Sequence, residues 1–271
     1  MRFSGCDTSP AEGRLRCSMG GAAARRQRGH VQLVSSAKWE EIGNEIHVWH
    51  AALDREDHVV GQLESTLSLE EKARADRFHF ANDRKRFAVA RGLLRELLGA
   101  YLRQAPAHLE FSYGQHGKPA LSGGNSLGGL CFNLSHSANL VVYAIARERN
   151  LGIDVEHVRP DSAGDDIAQR YFSAREVKDL RTLPPENRVE GFFNCWTRKE
   201  AYLKATGMGL QIALDSFAVS LLPNQPAQFL SGVETQWHLA AHRPAEGYVA
   251  ALVYDGAPCA IKYFSVDSQQ K

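Results

Sequence analysis

Phe192-Phe-Asn-Cys-Trp-Thr-Arg-Lys-Glu-Ala-Tyr-Leu-Lys204 lies within a helical pattern over Arg188–Thr206 that stops at Gly207-Met-Gly-Leu210. Glycine just past the last periodic residue is a helix-stop signal. Trp196, Glu200 and Lys204 are four residues apart and share one helix face, so an acid stands between an aromatic ring and an ammonium. As a solvated pair, Glu200 and Lys204 would add only about 0.2–0.5 kcal/mol. A tryptophan on the same stripe speaks against a plain solvent face and for a site.

Working outward, the same outline recurs earlier in the chain. Phe87 to Leu102 repeats apolar residues at spacings of three and four. Phe87, Arg91, Leu94 and Arg95 superpose on Trp196, Glu200, Leu203 and Lys204 at an offset of 109, and Phe111 meets Phe217 at 106. Before the first long helix come a strand at Ile46–Trp49 and a capping-box helix start at Ser68-Leu-Glu-Glu71; after it come strands near Cys131–Leu134 and Leu140–Ala146. The second half offers a strand at Leu151–Val155 and helices at Asp165–Phe172 and Ala174–Leu180. Strands follow the long helix near Phe217–Leu221, Trp237–Ala241, Tyr248–Tyr254 and Ala260–Val266. Two related lobes, 45–150 and 151–271, would explain the recurrence, although any two amphipathic helices align somewhere. Residues 1–44, rich in Gly, Ala, Ser and Arg without periodicity, predict a disordered basic extension.

Three further segments carry candidate chemistry. In Gly152-Ile-Asp-Val-Glu156, Asp154 and Glu156 project from one face of a strand about 6–7 Å apart along the chain. Such a pair is either a solvated face or a set of hard oxygen ligands suited to Mg²⁺. Phe132-Asn-Leu-Ser-His-Ser137 reads as an apolar strand ending in a polar turn. Its Ser135 and His136 suit a phosphate or ribose better than a hydrolase triad, because neighbours on a strand face opposite ways and no G-x-S-x-G elbow is present. Gly117-Lys118-Pro119 offers a cation on a stiffened loop, suited to an anion or simply solvated.

Composition narrows the class. The 271 residues are 44% hydrophobic and 23% charged, a globular balance. Net charge is +1; residues 1–30 hold six arginines against two acids, which leaves −3 for the rest, so no nucleic-acid surface is expected. Cysteines at 6, 17, 131, 195 and 259 lack C-x-x-C spacing, arguing against a disulfide framework or structural zinc and for a reducing cytoplasm. The longest apolar runs fall far short of the roughly 18 residues of a membrane span.

In their order along the chain, G-K-P at 117–119, F-N-L-S-H-S at 132–137, G-I-D-V-E at 152–156 and F-x-x-x-W-x-x-K-E-A-Y-L-K at 192–204 resemble the surfactin-type 4'-phosphopantetheinyl transferases. The resemblance spans residues 45–265. It implies a pseudo-dimer of two α+β lobes with the active site in the cleft between them. The implied reaction moves the phosphopantetheine arm of coenzyme A to a serine of an apo acyl or peptidyl carrier protein and releases adenosine 3',5'-bisphosphate. Asp154, Glu156 and Glu200 match the acids that hold Mg²⁺ on the pyrophosphate; Glu200 and Lys204 match catalytic positions. Arg74, Arg86, Lys118, Ser135, His136, Lys199 and Lys204 match coenzyme A contacts, the two arginines only loosely. The carrier is expected to dock on the second lobe near Arg170, Arg175 and Lys178, with the enzyme a cytoplasmic monomer. A Mg²⁺-dependent phosphoester hydrolase and a non-catalytic binder of coenzyme A or carrier protein are the competing readings.

Overall fold

The computed structural model describes residues 42–114, 117–123 and 129–267, all within the unit spanning residues 32–271. The expected extension lies outside them up to residue 41. Ile42, on the extension's side of the expected boundary, is buried and accepts a hydrogen bond from Arg147.

The first half runs β1 (Glu45–Ala52), α1 (Asp57–Ser65), α2 (Leu69–Ala75), α3 (Ala81–Leu102), a short hairpin of β2 (Phe111–Tyr113) and β3 (Pro119–Leu121), then β4 (Leu130–Ser137) and β5 (Leu140–Arg147). The second half runs β6 (Leu151–His157), α4 (Asp165–Tyr171), α5 (Ala174–Thr182), α6 (Pro185–Thr206), a pair of short strands β7 (Ala218–Val219) and β8 (Phe229–Ser231), then β9 (Trp237–His242), β10 (Tyr248–Asp255) and β11 (Ala260–Ser265). The main sheets have the strand orders β11-β1-β5-β4 and β6-β10-β9. Without β11 the two orders are the same: β1, β5 and β4 correspond to β6, β10 and β9. The fold is α+β, built twice.

One stretch departs from the repeat. β11, expected within the second lobe, runs parallel to β1 in the first sheet. Phe264 stacks on Trp49, with ring centroids 4.5 Å apart, and Val266 joins the first core. Burial of those side chains draws the chain back across.

Each long helix covers one face of its own sheet. Leu94, Leu97 and Leu98 of α3 pack with Trp49 and Tyr143, and Phe193, Ala201 and Leu203 of α6 pack with Ala251 and Val253. The opposite faces close on each other: Ile46, Val48 and Val142 meet Ile153, Val155 and Leu252 in a third core between the sheets.

The repeat is real, but its register is not 109. Ser68–Glu71 and Ser173–Glu176 are both capping boxes, 105 residues apart. Both glutamates are buried and each holds a cation of its long helix, Arg95 and Lys199, 104 apart. Those cations donate to the carbonyls of Leu109 and Leu214, again 105 apart. The register from sequence was about one helical turn off. An amphipathic stripe slid by a turn still lays apolar on apolar, so the pattern alone does not fix it.

Candidate active site

β6 and α6 touch at a point that admits only glycine. A Cβ on Gly152 would stand 2.2 Å from both the Ala201 carbonyl oxygen and the Ala205 nitrogen. Beside this contact, Lys118 reaches over from the first half. Its Nζ donates to the carbonyls of Leu151 (2.9 Å), Lys204 (2.6 Å) and Ala205 (3.3 Å). A cation on the final carbonyls of a helix satisfies acceptors that have no partner within the helix. Burial lowers the Lys118 pKa. Its ammonium therefore clamps the end of α6 to β6 and is not the free anion contact that a solvated loop would present.

With α6 so fixed, the predicted acids meet. Asp154 is 4% exposed, and its Oδ1 accepts from Lys204 Nζ at 2.6 Å and from Ser135 Oγ at 2.8 Å. Glu156 Oε2 accepts from Ser137 Oγ at 2.6 Å. Glu200 lines a cavity of about 290 Å³ together with Lys118, Asn133, Leu134, Leu203 and Lys204. Burial raises the Glu200 pKa, with the charges of Asp154 and Glu156 adding and Lys204 opposing. Burial likewise raises that of Glu156, Asp154 adding, against the Ser137 hydrogen bond and the cations Lys204 and Arg159. The three carboxylates and one ammonium thus form a single electrostatic unit.

Among the described residues, no three His, Cys, Asp or Glu side chains are drawn in closely enough to be a ready metal site. The donor set nevertheless suits a hard cation. The acids repel one another, and Asp154 Oδ2 is buried without a hydrogen-bond partner. Oxygen ligands and unrelieved negative charge are what such an ion takes.

The remaining predicted residues divide. Ser135 is in the cluster. His136, next to it, keeps an exposed face, yet loss of water around its ring, with Lys204 and Arg86 adding positive charge, holds its pKa below the usual histidine value. Arg86 thus stands near the cleft and also lies 3.5 Å from Asp54. Arg74 is exposed and sits over the Phe87 ring, 5.5 Å from its centroid. Lys199 is not in the cleft. Fully buried on the other side of α6, it pairs with Glu176 at 2.9 Å and donates to the carbonyls of Leu214 and Phe217. A turn of about 100° from Glu200 points it into the second core. Trp196 also leaves the site, stacking on Phe192 and meeting Tyr171 edge to face.

Asn133 and Ser137 were missed. β4 extends to Ser137 rather than ending in a turn, so Asn133, Ser135 and Ser137 alternate along one face. β6 is an edge strand, and this face serves it: Ile153 N donates to Asn133 Oδ1 at 2.8 Å, and His157 N donates to Ser137 Oγ at 3.1 Å. The alternation of polar residues was the available signal, and reading a turn hid it.

Residues 49–148 match the family described as 4'-phosphopantetheinyl transferase, N-terminal, and residues 150–253 match the 4'-phosphopantetheinyl transferase superfamily. The 4'-phosphopantetheinyl transferase HetI of a Nostoc species is 41% identical over 84% of this chain and 94% of its own. The chain belongs to the 4'-phosphopantetheinyl transferase superfamily. The transferase is also 29% identical to the 4'-phosphopantetheinyl transferase Sfp of Bacillus subtilis over 76% of this chain and 80% of Sfp. Among solved structures, a holo-(acyl-carrier-protein) synthase from Bacillus anthracis in complex with CoA matches 40% of the transferase and 96% of its own chain, at 22% identity and a TM-score of 0.33.

Proposed function

We propose that this transferase moves the 4'-phosphopantetheine arm of coenzyme A onto a serine hydroxyl of an apo acyl or peptidyl carrier protein. The observation that carries the reading is the meeting of Asp154, Glu156, Glu200 and Lys204 at the junction of the two sheets, in a chain of this family. The new bond joins the serine oxygen to the β-phosphorus. The bond from that phosphorus to the bridging oxygen breaks, and adenosine 3',5'-bisphosphate leaves with the electron pair.

Glu200 accepts the serine proton. It is the carboxylate that lines the cavity beside Lys204, within a cluster whose other acids lie on β6, and it takes the proton directly or through water. Lys204, now held by Asp154 and Ser135, is the cation within reach of the pyrophosphate oxygens. Asp154, Glu156 and Glu200 would hold Mg²⁺, which when bound neutralises charge on the phosphates. Arg86 would offer a cation and His136 a neutral ring N–H to the nucleotide end, and Arg74 is an exposed cation over the Phe87 ring.

Arg170, Arg175 and Lys178 are exposed on α4 and α5. They present cations to an acidic carrier, a surface that steers encounter more than it adds affinity. The enzyme is read as a cytoplasmic monomer, as the resemblance implies, and Cys131, Cys195 and Cys259 are free thiols. No helix among the described residues is long and apolar enough to cross a membrane.

The test is incubation with coenzyme A, Mg²⁺ and an apo carrier protein, followed by mass spectrometry of the carrier. A gain of one phosphopantetheinyl group is expected. Hydrolysed coenzyme A with an unmodified carrier would instead mean a hydrolase, and no chemistry at all a binding module.

A further inference from the structure

Glu156 is tied to a residue on the other sheet. Ser137 Oγ accepts from His157 N at 3.1 Å, which commits a lone pair and leaves the hydroxyl proton to point at Glu156 Oε2, 2.6 Å away. The serine is 8% exposed and ends β4 at a tight turn. That turn is pinned from both halves. Ala138 takes a positive φ of 48°, Asn139 Oδ1 accepts from the nitrogens of Leu53 (3.2 Å) and Asp54 (2.7 Å), and Asn139 N donates to the Tyr248 hydroxyl at 3.3 Å. The hydroxyl is therefore fixed in place before it meets the glutamate.

Glu156 needs such a hold. Its neighbour Asp154, two residues back on the same strand face, carries like charge and is buried. A glutamate so placed gains by swinging away toward water, and a fixed donor to the ionised carboxylate opposes that movement.

We infer that Ser137 is a positioning residue of the transferase: from the first sheet it fixes one oxygen of Glu156 on the second and leaves the other as a ligand for the divalent ion. The inference rests on the ion site proposed above. It extends that site to the opposite half of the molecule, so the ion is held well only while the sheets keep their docking. Partners that orient a metal ligand typically change ion affinity 10–100-fold when removed.

The experiment is direct Mn²⁺ binding, followed by electron paramagnetic resonance of the free ion, on the full chain with coenzyme A present. Wild type, Ser137→Ala and Ser137→Thr are compared, with melting temperatures alongside. Ser137→Ala should bind Mn²⁺ about 10-fold more weakly, and its transfer rate at saturating metal should approach wild type. Ser137→Thr, which keeps the hydroxyl, should bind nearly as wild type does. Wild-type affinity in Ser137→Ala overturns the inference even if its melting temperature falls, because the serine is then only structural. Threonine binding as weakly as alanine overturns it as well. If wild type takes up no Mn²⁺, the ion reading fails and the inference falls with it.

Discussion

Substituting Gly152 by alanine should separate α6 from β6 and disable the site without touching an acid. The added Cβ would meet the Ala201 carbonyl oxygen and the Ala205 nitrogen at 2.2 Å, and the Lys204 carbonyl carbon at 2.7 Å. Ordinary contact starts near 3.4 Å, so the helix must back away by about 1.2 Å, because the obstructing atoms are backbone and cannot rotate aside. Overpacking of this kind costs about 1–3 kcal/mol. For a domain of this size each kcal/mol lowers the melting temperature by about 2–4 °C. The functional cost is steeper: Glu200 and Lys204 ride on α6 while Asp154 and Glu156 stay on β6, and a misplacement of about 1 Å commonly costs on the order of 100-fold in rate. We expect Gly152→Ala to fold, melt about 5 °C lower, and transfer phosphopantetheine about 100-fold more slowly in a carrier mass-shift assay. A variant with wild-type melting and wild-type transfer would refute the claim that this contact sets the geometry of the site.

Glu200→Gln should keep its melting temperature and lose nearly all transfer, since it removes the proton acceptor while preserving shape; comparable turnover would exclude Glu200 as the base. Lys199→Met should leave the Glu176 charge buried and unpaired, at a cost of about 3–5 kcal/mol in urea unfolding; an unchanged midpoint would show the pair to be dispensable. Charge reversal at Arg175 or Lys178 should raise the carrier KM and its salt dependence with little effect on kcat, and an unchanged carrier KM would move docking elsewhere.

Lys199 and Lys204 mark where sequence reading stops. Both lie on one helix and both carry an ammonium, and periodicity says only that they face different ways. The outcome depends on what packs against each face: Glu176 and the Leu214 and Phe217 carbonyls claim Lys199, while Asp154 and Ser135 claim Lys204. The repeat shows a related limit: the two long helices alone leave its register open, and the capping boxes Ser68–Glu71 and Ser173–Glu176, whose glutamates hold Arg95 and Lys199, fix it. So does Phe132–Ser137, where a polar alternation acquires meaning only because the edge of β6 lies against it.

Read alone, the sequence determined the two long helices, most strands, and the faces that Asp154 shares with Glu156 on a strand and Glu200 with Lys204 on a helix, while α1 escaped it. These follow from spacings of two to four residues, which backbone geometry converts into faces; the α+β class and the role of the acids came from the resemblance of their motifs. Tertiary structure alone decided the return of β11 to the first sheet, the clamp by Lys118, the burial of Lys199 and the hold of Ser137 on Glu156. Each joins residues at least 15 positions apart, and most of them more than 20. Contacts of that kind depend on which surfaces docking brings together, and no local period encodes them.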